Sequence, residues 1–374
     1  MTSSMSGSAD DVMVRALTEL AACRPGDALA TLTSGSHPEP ATPTSGGGPA
    51  GGRLRHELAG YLAARHDSRV YEHPTAFRAF IDGGGNVELY RATTAQLAAA
   101  YRELDARTVL DLGSGDGRAV VAAAASLGDR APRLDLVEPS AALLADASAA
   151  TRAAGLTART HQATAQEFLA GQDPQGGQDP QGGHDPQAGQ DPQGGQDPLA
   201  EAAGRCRGLL AGSAGRRWDL VEATFALHAI APAERTEVLA ALRGLADTVL
   251  IVEFDVPEFD DRGPAHLTYL AQRYERGLAE YEGSLVARGF LMPVLVGQVD
   301  PGRVRQTWEQ PAARWAEQLQ EAGWHDVTVA PLADHWWAPA IVVTARALRP
   351  RVVRPDSALS RWRRQDGRPY GSSP

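Results

Sequence analysis

The sequence contains no lysine, so all 36 of its Lys and Arg residues are arginine. It has only two cysteines, Cys23 and Cys206, which are too few for a disulfide framework and favour a reducing compartment. No apolar run reaches the roughly 18 residues that a membrane span needs. The N-terminus lacks the basic and apolar segments of a signal peptide. These absences predict a soluble cytoplasmic protein that does not associate with a membrane.

Acidic residues outnumber basic ones, 46 to 36, so the formal net charge is −10 and the isoelectric point is near 5.5. Nucleic-acid binding needs a basic surface, so this balance argues against a nucleic-acid partner. The 374 residues are 43% hydrophobic, which is enough for a substantial core in one large domain or two ordinary ones.

Two stretches lack the residues that build a core. Residues 34–53 are rich in Pro, Gly and Ser and are typical of a flexible linker. Residues 171–198 repeat the hexapeptide QDPQGG nearly five times, and we expect a disordered insertion at the surface. The Arg- and Pro-rich residues 349–374 are also expected to be disordered.

The rest of the chain alternates between helical and strand patterns. Residues 14–32 predict one amphipathic helix, and residues 54–64, 76–81 and 93–104 predict three more. Strand-length apolar runs follow at 108–112, 134–137, 158–162, 219–224, 248–254, 327–330 and 340–345, with Ala-rich helical stretches between most of them. This order predicts an α/β fold: a Rossmann-like, doubly wound, mostly parallel seven-stranded sheet with an N-terminal helical extension.

The stretch TVLDLGSGDG, residues 108–117, places three glycines directly after the first predicted strand. Glycine can adopt positive φ and has no Cβ, so the backbone can turn tightly and approach a ligand. In an open parallel sheet, ligands bind at the carboxyl ends of the strands. Two acids flank the loop, Asp111 and Asp116, and they favour a cationic ligand over a phosphate. Glu138 ends the second strand, where it can accept two hydrogen bonds from a ribose diol.

VLDLGSGDG followed by LDLVEPS resembles the first two motifs of class I S-adenosylmethionine (SAM)-dependent methyltransferases. ATAQEF (163–168), WDLVEATFALHAI (218–230) and DTVLIVEFD (247–255) are similar to later motifs of that family, so the resemblance covers roughly 93–347 without the repeat. It implies that the chain is an enzyme that uses SAM. The implied cofactor-binding residues are Asp111, Gly113, Ser114, Gly115, Asp116, Gly117, Glu138, Thr164, Ala165, Glu222, Ala223 and Thr224. The family usually has an aspartate near Thr164 that binds the adenine amine. A threonine hydroxyl can accept that hydrogen bond, but less strongly than a carboxylate does.

The resemblance also suggests a division of the chain. Residues 1–33 form an N-terminal helix, 54–104 a helical lid or dimerisation region, and 105–348 the methyltransferase domain. Within that domain, residues 256–311 are interpreted as a substrate-binding insertion. A homodimer could form through the N-terminal helices, although the sequence does not distinguish a dimer arm from a lid.

Methyl transfer from a sulfonium is an in-line displacement, so the enzyme must position the acceptor and activate a poor nucleophile. Acidic and histidine side chains cluster after the fourth and fifth predicted strands, with His266 close by. His228, Glu253, Asp255 and His335 are the candidates, either as general bases or as ligands of a divalent metal such as zinc or iron. Arg303 and Arg305 are candidates for clamping a substrate carboxylate.

A narrower resemblance concerns TWEQP (307–311) and DHWWAPA (334–340), which look like stretches of bacterial α-keto acid C-methyltransferases that serve antibiotic and other secondary-metabolite biosynthesis. It implies that a base removes the β-proton of a keto acid and that the enolate attacks the methyl group, with stabilisation of the enolate charge. Two alternatives stay open: an O- or N-methyltransferase of a small secondary metabolite, and a non-catalytic SAM-binding partner protein.

Overall fold

In this computed structural model, the described residues are 9–34, 52–64, 74–171 and 218–348. Most of the predicted linker, repeat and C-terminal tail lie outside these ranges. None of the helices in the described ranges is long and apolar enough to cross a bilayer.

A seven-stranded sheet forms the centre of the chain. Its strands are β1 Thr108–Leu112, β2 Arg133–Val137, β3 Ala158–His161, β4 Trp218–Thr224, β5 Ala246–Phe254, β6 His325–Ala333 and β7 Ala340–Arg346. The spatial order is β3-β2-β1-β4-β5-β7-β6. Strands β1 to β5 pair in parallel, whereas β7 is antiparallel to both β5 and β6. The predicted doubly wound, mostly parallel sheet is therefore confirmed.

Helices cover both faces of the sheet. They are α1 Ala9–Ala21, α2 Pro25–Thr33, α3 Gly52–Ala63, α4 Pro74–Ile81, α5 Asn86–Leu104, α6 Arg118–Ala125, α7 Ala141–Ala153, α8 Ala165–Ala170, α9 Pro232–Arg243, α10 Pro264–Ala279, α11 Met292–Val299 and α12 Ala312–Glu321. A short helix, Ser284–Val286, and a π-helical turn, Ala287–Leu291, lead into α11. Two apolar clusters pack the sheet, one containing Trp315 and Trp324, the other Leu97 and Tyr101.

The prediction of a single helix over residues 14–32 is wrong, because the chain breaks between α1 and α2. Cys23 adopts a φ of 57°, and Pro25 begins the second helix. Proline has no backbone N–H and is tolerated in the first helical turn, so it starts a new helix rather than continuing the old one.

The N-terminal helices pack on the chain's own insertion between β5 and β6. Leu17 of α1 and Leu58 of α3 are fully buried in a third apolar cluster, which also contains Leu270 of α10 and Leu295 of α11. The same cluster includes Val256, two residues after the carboxyl end of β5. Dimerisation through these helices stays a prediction.

The order of the strands reverses between β1 and β4, because β2 and β3 lie on one side and β5 on the other. At such a switch point, the loops after the two strands diverge and leave a crevice. The glycine loop follows β1 and the segment containing His228 follows β4, so the topology brings both to one crevice.

Candidate active site

The glycine loop takes a conformation that only glycine adopts easily. Gly113, Gly115 and Gly117 have φ values of 70°, 56° and 76°. A Cβ on Gly113 would lie 2.4 Å from the Cβ of Ala226, whereas a Cβ on Gly115 would meet no atom within 4 Å. The loop is therefore tightly packed on the side of the β4 loop and open at Gly115.

Glu138 holds the loop from the end of β2. Its carboxylate accepts hydrogen bonds from the backbone N–H of Gly115 (3.0 Å) and of Ser140 (2.9 Å). Burial raises the pKa of Glu138, and the two backbone hydrogen bonds oppose that rise. A carboxylate has about four acceptor positions, so two remain for hydroxyl donors of a ligand.

The hydroxyl of Ser114 is buried and has no hydrogen-bond partner among the described residues. A buried polar group without a partner is costly and points to a missing ligand or water. Together with the open space at Gly115 and the remaining acceptor positions of Glu138, it fits a cofactor with a ribose and a polar tail. These residues fit SAM.

Asp111 and Glu222 lie behind the loop rather than on the cavity wall. They are register partners on β1 and β4, and both are buried. The hydroxyl of Tyr101 donates to Glu222 at 2.6 Å, while one oxygen of each carboxyl group has no partner in the described ranges. Burial, followed by the charge of Glu138, raises the pKa of Asp111 to about 8. Burial, followed by the charge of Asp111, raises the pKa of Glu222. The pair therefore does not carry two full charges at neutral pH.

Asp116 lines the cavity but is paired with an arginine. The Arg118 guanidinium contacts Asp116 at 2.6 Å and Asp82 at 2.7 Å, and it lies over the ring of Tyr90. This bridge fixes the helical region before the sheet to the glycine loop. Gly117 takes the N-cap position of α6 and is not on the cavity wall.

Thr164 and Ala165 line the cavity at the start of α8, as predicted positions for adenine. The Thr164 hydroxyl accepts from the N–H of Glu167 (3.2 Å), and the Glu167 carboxylate accepts from the Thr164 backbone N–H (2.9 Å), which forms a capping box. The hydroxyl also donates to that carboxylate (3.0 Å). The hydroxyl is thus already engaged, and the adenine contact stays a prediction. Thr224 lines the cavity, whereas Ala223 is buried behind it.

His228 and Glu253 form a close pair beside the cavity. The carboxylate of Glu253 accepts from the His228 backbone N–H at 3.0 Å and contacts the ring Nδ1 at 2.8 Å. Glu253 is fully buried and the His228 side chain is 12% exposed. Burial of the imidazole opposes its charge, but the carboxylate of Glu253 more than compensates, so the pKa of His228 is raised. With a proton on Nδ1, Nε2 is left as the basic nitrogen.

Arg235 supports this pair from α9. It is fully buried, its guanidinium lies 4.3 Å from the ring centroid of Trp315, and it donates to the Trp308 carbonyl at 3.2 Å. The N–H of Trp308 in turn donates to the His228 carbonyl at 2.7 Å. The backbone of a single residue, Trp308, therefore links the arginine to the segment that carries His228.

Asp255 and His335 do not join the pair. The carboxylate of Asp255 accepts from the N–H of Ala312 at 2.7 Å, at the start of α12. The His335 ring stacks on Phe254 and accepts from the Trp337 N–H at 3.3 Å. Burial lowers the pKa of His335 to about 4, so it is a poor base and, with Nδ1 as acceptor, presents Nε2–H as a donor.

The predicted metal ligand set, His228, Glu253, Asp255 and His335, is not formed. No group of three or more His, Cys, Asp or Glu in the described residues is arranged to hold a metal ion. The physical reason is that Asp255 caps a helix and His335 is fixed by stacking, each away from the His228–Glu253 pair.

The two predicted clamp arginines have different surroundings. Arg305 donates to the Thr307 carbonyl at 2.8 Å and pairs with Asp261 at 3.1 Å, so its guanidinium is engaged within the protein. Arg303 lines the cavity. His266 stacks on Phe259 and accepts from the Arg262 N–H, and it does not line the cavity.

One cavity of about 1520 Å³ joins the glycine loop to the His228 side of the crevice. Glu138, Gly115 and His228 all line this cavity. Six aromatic residues also line it: Phe80, Phe290, Phe254, Tyr274, Trp336 and Trp337. The cavity therefore brings the glycine loop, His228 and an aromatic wall into one space.

Sequence reasoning missed several residues that shape this site. Tyr101 and Arg235 act on partners far along the chain, and Arg118 joins Asp116 of the glycine loop to Asp82, 36 residues away; no local motif marks these three residues. Glu309 and Gln298 also went unnoticed, although both lie in the insertion that was predicted to bind substrate. The capping box at Thr164 did have a local signal, the T-x-x-E spacing.

A comparison with protein-family models gave no match, and neither did one with curated proteins. Solved structures do resemble the chain. A candidate O-methyltransferase from Nostoc punctiforme is 12% identical, with 90% of this chain and 72% of that one covered and a TM-score of 0.41. Mitomycin 7-O-methyltransferase MmcR is 16% identical, with 87% and 72% covered and a TM-score of 0.43. Magnesium protoporphyrin IX methyltransferase from Synechocystis with bound SAH (S-adenosylhomocysteine) is 14% identical, with 74% and 95% covered and a TM-score of 0.41. At these TM-scores the similarity says nothing about activity, which must follow from the chain's own residues.

Proposed function

We propose that the chain is a SAM-dependent methyltransferase that transfers a methyl group to an ionisable oxygen of a small molecule in secondary metabolism. The observation that carries the proposal is the single cavity shared by the glycine loop with Glu138 and by the His228–Glu253 pair. A cofactor site alone would suit a binding protein. A carboxylate-oriented histidine in the same cavity, beside an aromatic wall, adds the group that a transfer reaction needs.

In this proposal, Glu138 accepts hydrogen bonds from the ribose hydroxyls, and Gly113 and Gly115 let the backbone lie against the cofactor. The unpartnered Ser114 hydroxyl supplies a further polar contact. Bound SAM would supply an electrophilic methyl group on a sulfonium.

His228 then acts as the general base. Glu253 holds the proton on Nδ1, so Nε2 is the nitrogen that can take the proton of the acceptor hydroxyl. With SAM bound, the new O–C bond would form as the methyl C–S bond breaks, and S-adenosylhomocysteine would be the leaving group. The raised pKa makes the imidazole a stronger base, and the imidazolium that forms is stabilised by the buried carboxylate. The aromatic residues that line the cavity exclude water and align a flat acceptor.

O-methylation fits these residues better than the predicted C-methylation of an α-keto acid. Enolate formation calls for positive charge or several donors around the keto and carboxylate oxygens. Of the two predicted clamp arginines, Arg303 lines the cavity but Arg305 is engaged with Asp261, and the described residues offer no metal ligand set. An ionisable hydroxyl needs only one base, and His228 provides it.

The test is incubation of the purified protein with methyl-labelled SAM and panels of phenols, amines and α-keto acids, each with added divalent metal and after chelation. We expect label on oxygen, unaffected by chelation. Label on the β-carbon of a keto acid, lost on chelation, would favour the C-methylation reading.

A non-catalytic SAM-binding protein would bind the cofactor without turnover. His228→Ala provides the matched control, because it leaves Glu138 and the glycine loop intact. SAM binding that is equal in both proteins, with transfer only in the wild type, supports the proposal. Absence of transfer by the wild type to every acceptor class would favour the binding protein.

A further inference from the structure

Residues 307–310 run beside the His228–Glu253 pair, and successive side chains point to opposite sides. Thr307 and Glu309 line the cavity, whereas Gln310 turns away to contact Arg235 and Gln318. The backbone is fixed by the Trp308 N–H, which donates to the His228 carbonyl at 2.7 Å. The Glu309 carboxylate is thereby held in the same cavity as His228.

Glu309 is poorly satisfied by the protein. Its one hydrogen bond in the described ranges comes from the Gln298 amide at 3.5 Å, at the limit of hydrogen bonding. That amide is closer to the Thr307 hydroxyl, at 2.9 Å. The other cavity carboxylates differ, because Asp116 is paired with Arg118 and Glu138 accepts two backbone N–H groups. Glu309 therefore keeps acceptor capacity that faces the cavity.

Aromatic residues line the same cavity as this carboxylate. The rings of Tyr274 and Trp337 lie 5.6 Å apart, those of His335 and Trp336 lie 5.2 Å apart, and all four residues line the cavity. An apolar acceptor that covered Glu309 would strip water from its carboxylate without replacing those hydrogen bonds, which is costly. A cation would instead gain a charge-assisted hydrogen bond and favourable contacts with ring faces.

We propose that the acceptor molecule of this methyltransferase carries a protonated amine, which donates to Glu309 while its aromatic body lies against the rings of Tyr274, Trp336 and Trp337. This inference rests on the proposed function and adds the substrate class: a hydroxylated aromatic amine. Glu309 is a specificity-determining residue, because a site built around a carboxylate rejects an analogue that lacks the donor.

The test uses matched pairs of probes that differ only in the charged nitrogen: tyramine against 4-ethylphenol, and serotonin against 3-ethyl-5-hydroxyindole. Dissociation constants are measured by calorimetry on the wild type, with and without saturating SAH, and on Glu309→Gln and Glu309→Asp. Glu317→Gln removes the same charge from an exposed position beside Arg314 and serves as the control. Thermal melts verify that each variant is folded.

We expect each amine to bind the wild type about tenfold more tightly than its neutral partner, as one charge-assisted hydrogen bond predicts. Glu309→Gln should abolish that preference, Glu309→Asp should keep part of it, and Glu317→Gln should leave it unchanged. Amines that bind no more tightly than their neutral partners, including the case where neither binds at millimolar concentration, overturn the inference.

A second outcome would also overturn it. If Glu309→Gln weakens SAM binding at least tenfold more than SAH binding while the amine preference survives, Glu309 serves the sulfonium instead. Probe binding is measured without methyl transfer, so failure of the amine preference leaves the transfer assay as a separate test of the proposed function.

Discussion

Glu253→Gln tests the catalytic pair most sharply. The carboxylate accepts two hydrogen bonds from His228, at 3.0 Å from the backbone N–H and at 2.8 Å from the ring nitrogen. Glutamine has the same shape but one acceptor oxygen, so it can keep only one of the two. Losing one charge-assisted hydrogen bond costs about 1.5–3 kcal/mol, which corresponds to about a 10- to 150-fold fall in kcat.

The pH profile gives an independent measurement of the same change. Nε2 must be unprotonated to act as a base, so the rate should rise with pH through the pKa of His228, which Glu253 raises. Without the carboxylate, the main effect that raises the pKa of His228 is lost, while burial and the charge of Arg235 still lower it, so the pKa of His228 should fall. The rising limb of the profile should therefore move to lower pH in Glu253→Gln.

The assay is methyl transfer from labelled SAM to whichever acceptor the panel identifies, measured from pH 5 to pH 9, with NMR titration of the labelled His228 ring alongside. Asp255→Asn is the matched control at the end of the same strand, since asparagine can still accept the Ala312 N–H. A Glu253→Gln enzyme with kcat within threefold of the wild type and an unmoved pH limb would refute the pair as the base.

Three further predictions concern the residues around the pair. Gly113→Ala should destabilise the loop and weaken SAM binding more than Gly115→Ala. Both residues have positive φ, but only a Cβ on Gly113 would meet a neighbouring atom. Calorimetry and thermal melts compare the two variants, and equal effects would contradict the prediction. The pKa of Asp111 in the folded protein is about 8, above its unfolded value, so its contribution to stability is present at low pH and is lost as pH rises from about 4 to 8. The free energy of unfolding in urea should therefore depend less on pH in Asp111→Asn than in the wild type across this range. Identical slopes for the two proteins would contradict this prediction. Arg235→Met removes a cation that lowers the pKa of His228, so NMR should find that His228 titrates at higher pH in the variant. A lower pKa of His228 in the variant would contradict this prediction.

Much of the sheet could be predicted from the sequence, because buried parallel strands are short, almost continuously apolar runs. The glycine loop after β1 and the acid at the end of β2 were also visible, since both depend on local spacing. The break between α1 and α2 had a local signal as well, Pro25, but the apolar period continued across it and concealed the boundary.

The catalytic side of the site was harder to predict. His228 and Glu253 were both identified, but nothing in the sequence separated them from Asp255, whose partner at the start of α12 lies 57 residues away. Tyr101 and Glu222 are 121 residues apart. Such contacts arise from strand order and helix packing, and a single sequence carries no local trace of them.

Calorimetric titration of the purified protein and of Glu138→Ala with SAM tests whether this cavity is a SAM site. We expect one binding site per chain in the wild type and a loss of about 1–3 kcal/mol of binding free energy in the variant, from the hydrogen bonds to the ribose hydroxyls. A wild type that does not bind SAM, or a variant with unchanged affinity, would contradict the assignment of this cavity as a SAM site.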